Sequence, residues 1–214
     1  MLAAPEAPAN CPACPRLAAY RRDNAASHPT WFNGAVPSFG PENARLLIVG
    51  LAPGLQGANR TGRPFTGDYA GDLLYATLLA YGFATGEYAA RPDDGLQLRD
   101  CMITNAIRCA PPQNKPTPQE ALTCRPYLLA RIGALPNLKI MLALGRIAHD
   151  NVLSAHELKR SRFPFSHGAI HELGNGVALI DSYHCSRYNT NTRRLTEAMF
   201  HQVFETIQSR LARS

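Results

Sequence analysis

Residues 46–72, LLIVGLAPGLQGANRTGRPFTGDYAGD, restrict the fold more than any other stretch of the chain. Four apolar residues, Leu46 to Val49, end at Gly50, and an apolar run with helical spacing begins at Leu73. The long loop between them holds six glycines, Gly50 through Gly71, and two prolines. A buried strand that feeds a glycine-rich loop and then a helix places backbone N–H groups at the carboxyl edge of an α/β sheet. Loops of this length in compact proteins usually carry function.

The loop chemistry narrows the ligand. Gly62 to Gly67 has the G-x4-G spacing of a phosphate loop, which continues with Lys and Ser or Thr. Here Asp68 and Tyr69 follow, and a carboxylate repels phosphate. No G-x-G-x-x-G is present, which removes the dinucleotide reading. Phe65, Asp68 and many backbone donors instead suit a flat, neutral, hydrogen-bonding ligand such as a nucleobase.

The rest of the chain alternates strands and helices. Apolar runs at 102–107 and 138–144 read as buried strands, and 169–173 with 177–181 read as a hairpin around Gly174-Asn175-Gly176. Helices are expected at 71–82, from Thr117 (N-cap) and Pro118 to about Leu135, from Gly145 to about Leu153, and over 192–211. Residues 15–43 begin with helical spacing of Arg16, Arg21 and Arg22 and then read as an irregular connection, with Trp31 in a packing role. The stretches 86–100 and 110–118 read as turns and loop, and Lys159 to Arg162 as a basic loop suited to solvent or to a DNA backbone. The pattern predicts an α/β fold: a three-layer α/β/α sandwich around a mainly parallel sheet of about four strands. One domain is expected over 1–214, with a cysteine-bearing segment, 1–43, packed on it.

Charge and cysteine content bound the partners. A net charge of +6 fits a nucleic-acid partner. No apolar run is long enough to span a membrane, and MLAAPEAPAN lacks the basic start and apolar core of a signal peptide, so a cytosolic protein is expected. In that compartment structural disulfides are rare. Cys11 and Cys14 form a C-x2-C pair, Cys109 and Cys124 a second pair, and Cys101 and Cys185 stand apart. Four thiolates from two such pairs suit a tetrahedral zinc or an iron–sulfur cluster, and the residue types alone leave both open.

Gly50-Leu51-Ala52-Pro53-Gly54 with Asn59-Arg60-Thr61-Gly62-Arg63-Pro64-Phe65-Thr66-Gly67-Asp68 resembles the first motif of the uracil-DNA glycosylase superfamily. Leu51 and the NRTGR segment resemble its family 5, the type b enzymes, more than family 4, which usually carries an acidic residue at that place. Ser182-Tyr183-His184-Cys185-Ser186-Arg187 resembles the second motif, with Cys185 where the family has proline. Asn105 to Pro112 and Asn114-Lys115-Pro116 also match, so the resemblance runs from Cys11 to about Leu195.

The resemblance implies a monofunctional DNA repair glycosylase. It hydrolyses the N-glycosidic bond of uracil, and of other deaminated bases, in DNA, leaving an abasic site. It implies a monomer in a bacterial or archaeal cytosol, working at the nucleoid and not at a membrane. It implies a [4Fe–4S] cluster held by Cys11, Cys14, Cys109 and Cys124, pinning the N-terminal segment beside the DNA face. His184 then donates to the departing base and Phe65 stacks on it. Asn105 and Asn114 read or orient the base edge and water, and Asp68 positions water or counters a cationic sugar, with loop capping as its ordinary alternative. Gly50 and Ala52 contribute backbone to the pocket, and Ser186 and Arg187 face phosphates. Two departures matter. Cys185 cannot fix φ as proline does, so a looser loop is expected, and a thiol beside histidine is also a conceivable nucleophile. Asn105 stands where family 5 often has a small residue. A non-catalytic iron–sulfur DNA-binding or redox-sensing module is the alternative from another class.

Overall fold

The computed structural model describes residues 5–213. Residues 1–4, part of the N-terminal stretch read above for a signal peptide, lie outside the described residues, as does Ser214. In chain order the helices and strands are α1 (Pro15–Ser27), β1 (Leu46–Gly50), α2 (Ala58–Thr61), α3 (Tyr69–Ala80), β2 (Ala84–Thr85), β3 (Gln97–Leu98), β4 (Cys101–Asn105), α4 (Pro118–Gly133), β5 (Ile140–Leu144), α5 (Arg146–Ala155), β6 (Ile170–Gly174), β7 (Val177–Ser182), α6 (Arg187–Asn191) and α7 (Glu197–Leu211).

The central sheet has five strands in the order β4-β1-β5-β7-β6. The first four are parallel, and β6 runs antiparallel to β7. The sequence led to about four strands; the fifth is the outer arm of the expected hairpin. Its residues alternate between exposed and half-buried, whereas β1, β5 and the opposite edge strand β4 are buried throughout. Alternate residues of β1 enter opposite layers. Leu46 and Ile48 pack with Leu74, Leu78, Phe200 and Phe204 of α3 and α7. Leu47 and Val49 pack with Leu128, Ile132, Val152 and Leu17 of α4, α5 and α1. The period of two along a strand therefore builds both faces of the α/β/α sandwich.

Helix starts follow local chemistry. Thr117 and Glu120 form a reciprocal capping box on α4, and Pro118 supplies its first turn. Asp68 caps α3, Ser186 caps α6 and Thr196 caps α7. The expected helix over 192–211 starts only at Glu197, because Arg193 adopts a left-handed φ of 56° and Thr196 supplies the N-cap of α7. Residues 15–27 are helical although their sequence carries only a partial helical signal, and 86–100 contain one strand of the small β2–β3 pair. Trp31 is half-buried and stacks on His28 at 3.9 Å.

The N-terminal segment is tied to the sandwich by charge. Glu6 pairs with Arg131 at 2.6 Å and Arg108 at 3.1 Å, and it accepts the Ser38 N–H at 2.9 Å. Arg16 of α1 donates to Glu120 of α4 at 2.8 and 2.7 Å. Because β1, β4, β5 and β7 are parallel, their carboxyl ends meet at one edge, where Gly50, Asn105, Leu144 and Ser182 begin their loops.

Candidate active site

At that edge lies a cavity of about 380 Å³, lined by Leu51, Ala52, Pro53, Gly54, Ala58, Phe65, Asp68, Tyr69, Ala70, Asn105, Asn114, His184, Ser186 and Arg187. Its size is that of a small-ligand pocket. Nine residues were proposed from the sequence for the base and DNA site, and eight of them line it. Gly50 does not: it lies beneath, its carbonyl accepting the Ala106 N–H at 2.9 Å. A Cβ there would sit 2.4 Å from Asn105 Oδ1 and 2.7 Å from the Phe65 ring. Glycine at the strand end therefore lets two pocket side chains close over the backbone.

Phe65 holds a left-handed φ of 52°, an uncommon conformation for an aromatic residue. Its ring is 7% exposed and lies 5.9 Å from the His184 ring. His184 follows β7, and its carbonyl accepts from Asn189 Nδ2 at 2.8 Å. Burial pulls its imidazole pKa down to about 4, so the ring is neutral at physiological pH. Asp68 does two things at once. One oxygen accepts the Gly71 N–H at 3.1 Å as the α3 cap. The other packs against Gly57, where a Cβ would lie 2.3 Å from it. Burial raises the Asp68 carboxyl, while the bond from Gly71 opposes that rise.

Asn105 is 2% exposed, and its Oδ1 has no hydrogen-bond partner. A buried amide oxygen left unpaired costs about 1–3 kcal/mol, so a ligand donor that reached it would be favoured. Asn114 is exposed at the rim with φ 57°, on a 3₁₀ turn from Pro112 to Asn114 within the proline-rich loop. Ser186 caps α6, and the exposed Arg187 lies 5.3 Å above the Tyr69 ring.

Cys185 is fully buried and points away from the solvent. Its thiol donates to the Ala70 carbonyl at 3.4 Å, and burial pushes its pKa up to about 12. That removes it as a nucleophile. The Cys185 thiol bond to Ala70 and the Asn189 bond to the His184 carbonyl are the ties of this loop where the family has proline.

Cys11, Cys14, Cys109 and Cys124 line a second, small cavity together with Leu17, Ile107 and Tyr127. No disulfide joins any of the six cysteines. Burial raises the thiols of Cys14 and Cys109 and pushes that of Cys124 up to about 11. Donors face the sulfurs: Arg21 Nη1 reaches Cys109 Sγ at 3.1 Å, and the Arg108 N–H reaches Cys124 Sγ at 3.3 Å. Such a setting suits thiolates that share their charge with a metal.

The His149–Asp181–His171 group was not singled out from the sequence. His149 Nδ1 lies 2.7 Å from Asp181 Oδ1, His171 Nε2 lies 3.0 Å from Oδ2, and His149 Nε2 lies 2.9 Å from the Phe163 carbonyl. Both carboxylate oxygens are thus engaged by rings, tying α5, β6 and β7 together. Tyr69 on the pocket wall was also missed, because one tyrosine at a helix start carries no signal of its own.

A profile of the uracil DNA glycosylase superfamily matches residues 37–208. The chain is 45% identical over 199 residues to a type-5 uracil-DNA glycosylase of Thermus thermophilus, covering 90% of each chain. It is 44% identical over 203 residues to a type-5 uracil-DNA glycosylase of Mycobacterium leprae, covering 91% of this chain and 88% of the relative. It is 32% identical over 177 residues to a type-4 uracil-DNA glycosylase of Archaeoglobus fulgidus, covering 79% and 80%.

Proposed function

The chain belongs to the uracil-DNA glycosylase superfamily, and from that premise we propose that it hydrolyses the N-glycosidic bond of uracil in DNA and leaves an abasic site. The observation that carries the reading is the neutral His184 ring on the same pocket as Phe65, Asp68 and the unpaired Asn105 amide.

Breaking the C1′–N bond leaves negative charge on the base and positive character on the sugar. A donor aimed at the base as charge grows is worth about 3–4 kcal/mol. The His184 imidazole supplies an N–H without carrying a positive charge, since burial disfavours the imidazolium. Phe65 stacks on the extruded base, and Asn105 pairs with its edge. Asp68 orients water or faces the cationic sugar, and Asn114 at the rim assists with water. Ala52 offers its backbone to the base, while Ser186 and Arg187 meet the flanking phosphates.

The four-cysteine cavity supports a [4Fe–4S] cluster with a structural task. When bound, it ties Cys11 and Cys14 of the N-terminal segment to Cys109 and Cys124. Cys109 lies four residues past Asn105, so the cysteines also brace the pocket loop. We read the chain as one domain, acting as a monomer in the cytosol on DNA that carries uracil or other deaminated bases. No helix among the described residues is long and apolar enough to cross a membrane. Incubation with a uracil-containing oligonucleotide tests the reading: free uracil should appear and the strand should become alkali-labile. Tight binding without release would leave a DNA-binding module instead.

A further inference from the structure

The loop from Ala89 to Leu96 lies outside the pocket, yet it sends one carboxylate into the core beneath it. The Asp94 side chain is 1% exposed and forms a two-point ion pair with Arg63, itself 5% exposed. Arg63 Nη1 and Nη2 donate to the two Asp94 oxygens at 2.8 and 2.7 Å. The same guanidinium donates through Nε to Thr66 Oγ1 at 2.7 Å. It lies 5.2 to 5.8 Å from the ring centres of Phe39, Tyr75 and Tyr88. Asp94 also accepts the N–H groups of Ala89 at 3.0 Å and Leu96 at 3.1 Å. The Arg63 bonds hold its carboxyl well below the usual carboxylate range.

Three further bonds of this network flank Phe65. Tyr75 donates to the Pro64 carbonyl at 2.7 Å, Tyr88 donates to the Phe65 carbonyl at 3.3 Å, and the Gly67 N–H donates to Tyr88 at 3.4 Å. Arg63 and Thr66 flank the residue whose φ is 52°. Left-handed backbone at a phenylalanine persists only where its surroundings over-determine it. The ion pair is a two-point clamp with planar geometry, which fixes direction as well as distance.

We propose that Arg63 and Asp94 are positioning residues for base excision: together they lock Phe65 in its left-handed backbone so that its ring is preset against the extruded base. The proposal rests on reading the pocket as a base-excision site. It gives the Ala89–Leu96 loop a task at the pocket although it touches no substrate. Asp94→Asn keeps the shape, removes the charge and turns an amide N–H₂ toward Arg63.

The test is made on the intact, cluster-loaded protein, well below the melting temperature of each variant. Asp94→Asn should slow single-turnover uracil release by about 100-fold, the order of loss expected from a misplaced pocket group. Affinity for an abasic-site duplex, which phosphate contacts dominate, should stay within a few-fold. Asp94→Glu, which can restore the two-point pair, should recover most of the rate. Tyr88→Phe leaves the ion pair intact and removes only the hydroxyl bonds to the Phe65 carbonyl and from the Gly67 N–H; it should give a smaller loss of the same kind. Crystal structures of Asp94→Asn and Tyr88→Phe should show Phe65 leaving its left-handed φ in the former. A folded Asp94→Asn that releases uracil at the wild-type rate, or that keeps Phe65 in place, overturns the proposal. So does a loss of rate matched by an equal loss of abasic-site affinity. If the wild type releases no uracil, the base-excision reading fails; the positioning role fails with it, while Phe65 in the Asp94→Asn crystal reports whether the clamp itself is real.

Discussion

Gly50→Ala probes how closely the sheet edge is fitted to the pocket. Gly50 ends β1 with ordinary strand backbone, so alanine meets no dihedral penalty there. The cost is steric. The new methyl would lie 2.4 Å from Asn105 Oδ1 and 2.7 and 2.8 Å from two Phe65 ring carbons, all inside the 3.0 Å that real Cβ atoms keep. Forcing a methyl into a packed site costs about 1–3 kcal/mol. For a chain of this length each kcal/mol lowers Tm by roughly 2–4 °C. The melting temperature should therefore fall by about 2–12 °C. Both groups that must yield line the pocket, so uracil release should fall by up to about 100-fold at temperatures where the variant is fully folded. Gly133→Ala is the control: it sits at the end of α4 with nothing within 4 Å of its new Cβ. It should keep the wild-type rate. The assays are circular dichroism melting and single-turnover release from a uracil oligonucleotide. A Gly50→Ala protein that melts lower but releases uracil at the wild-type rate would refute the link between this contact and base binding. An unchanged Tm would refute the packing argument itself.

Phe65→Ala should slow turnover far more than it weakens duplex binding, because stacking on a base is worth about 1–3 kcal/mol whereas duplex affinity comes mostly from phosphates; a large fall in Tm with unchanged turnover would make Phe65 a core residue. The purified protein should be brown with about four irons per chain, and Cys109→Ala should lose colour and solubility together; a colourless protein carrying one zinc would overturn the cluster. The pH profile of release should show no limb near 6.5, where an ordinary histidine titrates. His184 stays neutral down to about 4. Its folded pKa lies below the unfolded one, so the unfolded chain binds the extra proton first and this residue's contribution to stability is lost as pH falls from about 6.5 toward 4. A release limb near 6.5 that vanishes in His184→Gln would contradict the neutral-donor role.

Much of the architecture was legible because it is written in local patterns. Leu46 to Val49 are all apolar because both faces of β1 are covered, and the Thr117-Pro118-Gln119-Glu120 start of α4 is a complete capping signal. The pocket was legible through loops that follow strands: His184 after β7, Asn105 at the end of β4, Phe65 and Asp68 after β1. What stayed hidden depends on partners far along the chain. Asp94 reads as one more acid in a turn-rich stretch until folding brings Arg63, 31 residues away, against it. Asp181 lies 32 residues from His149, and nothing in the spacing pairs them. Asp68 had two readings, helix cap and pocket carboxylate, and its two oxygens serve both places. Residues 15–27 were only half legible as a helix because their apolar positions form no clear stripe; Leu17 and Ala18 are the buried apolar residues, beside a buried Asn24.

The most direct test is His184→Ala under single-turnover conditions on a uracil-containing oligonucleotide, alongside the wild type. A donor that acts on the departing base should leave affinity for the abasic product within a few-fold while release slows by about 100–1000-fold. The wild type should release free uracil. Release by His184→Ala at the wild-type rate would contradict the account and move the leaving-group role to Asn114 or to the backbone of the Leu51–Gly54 turn.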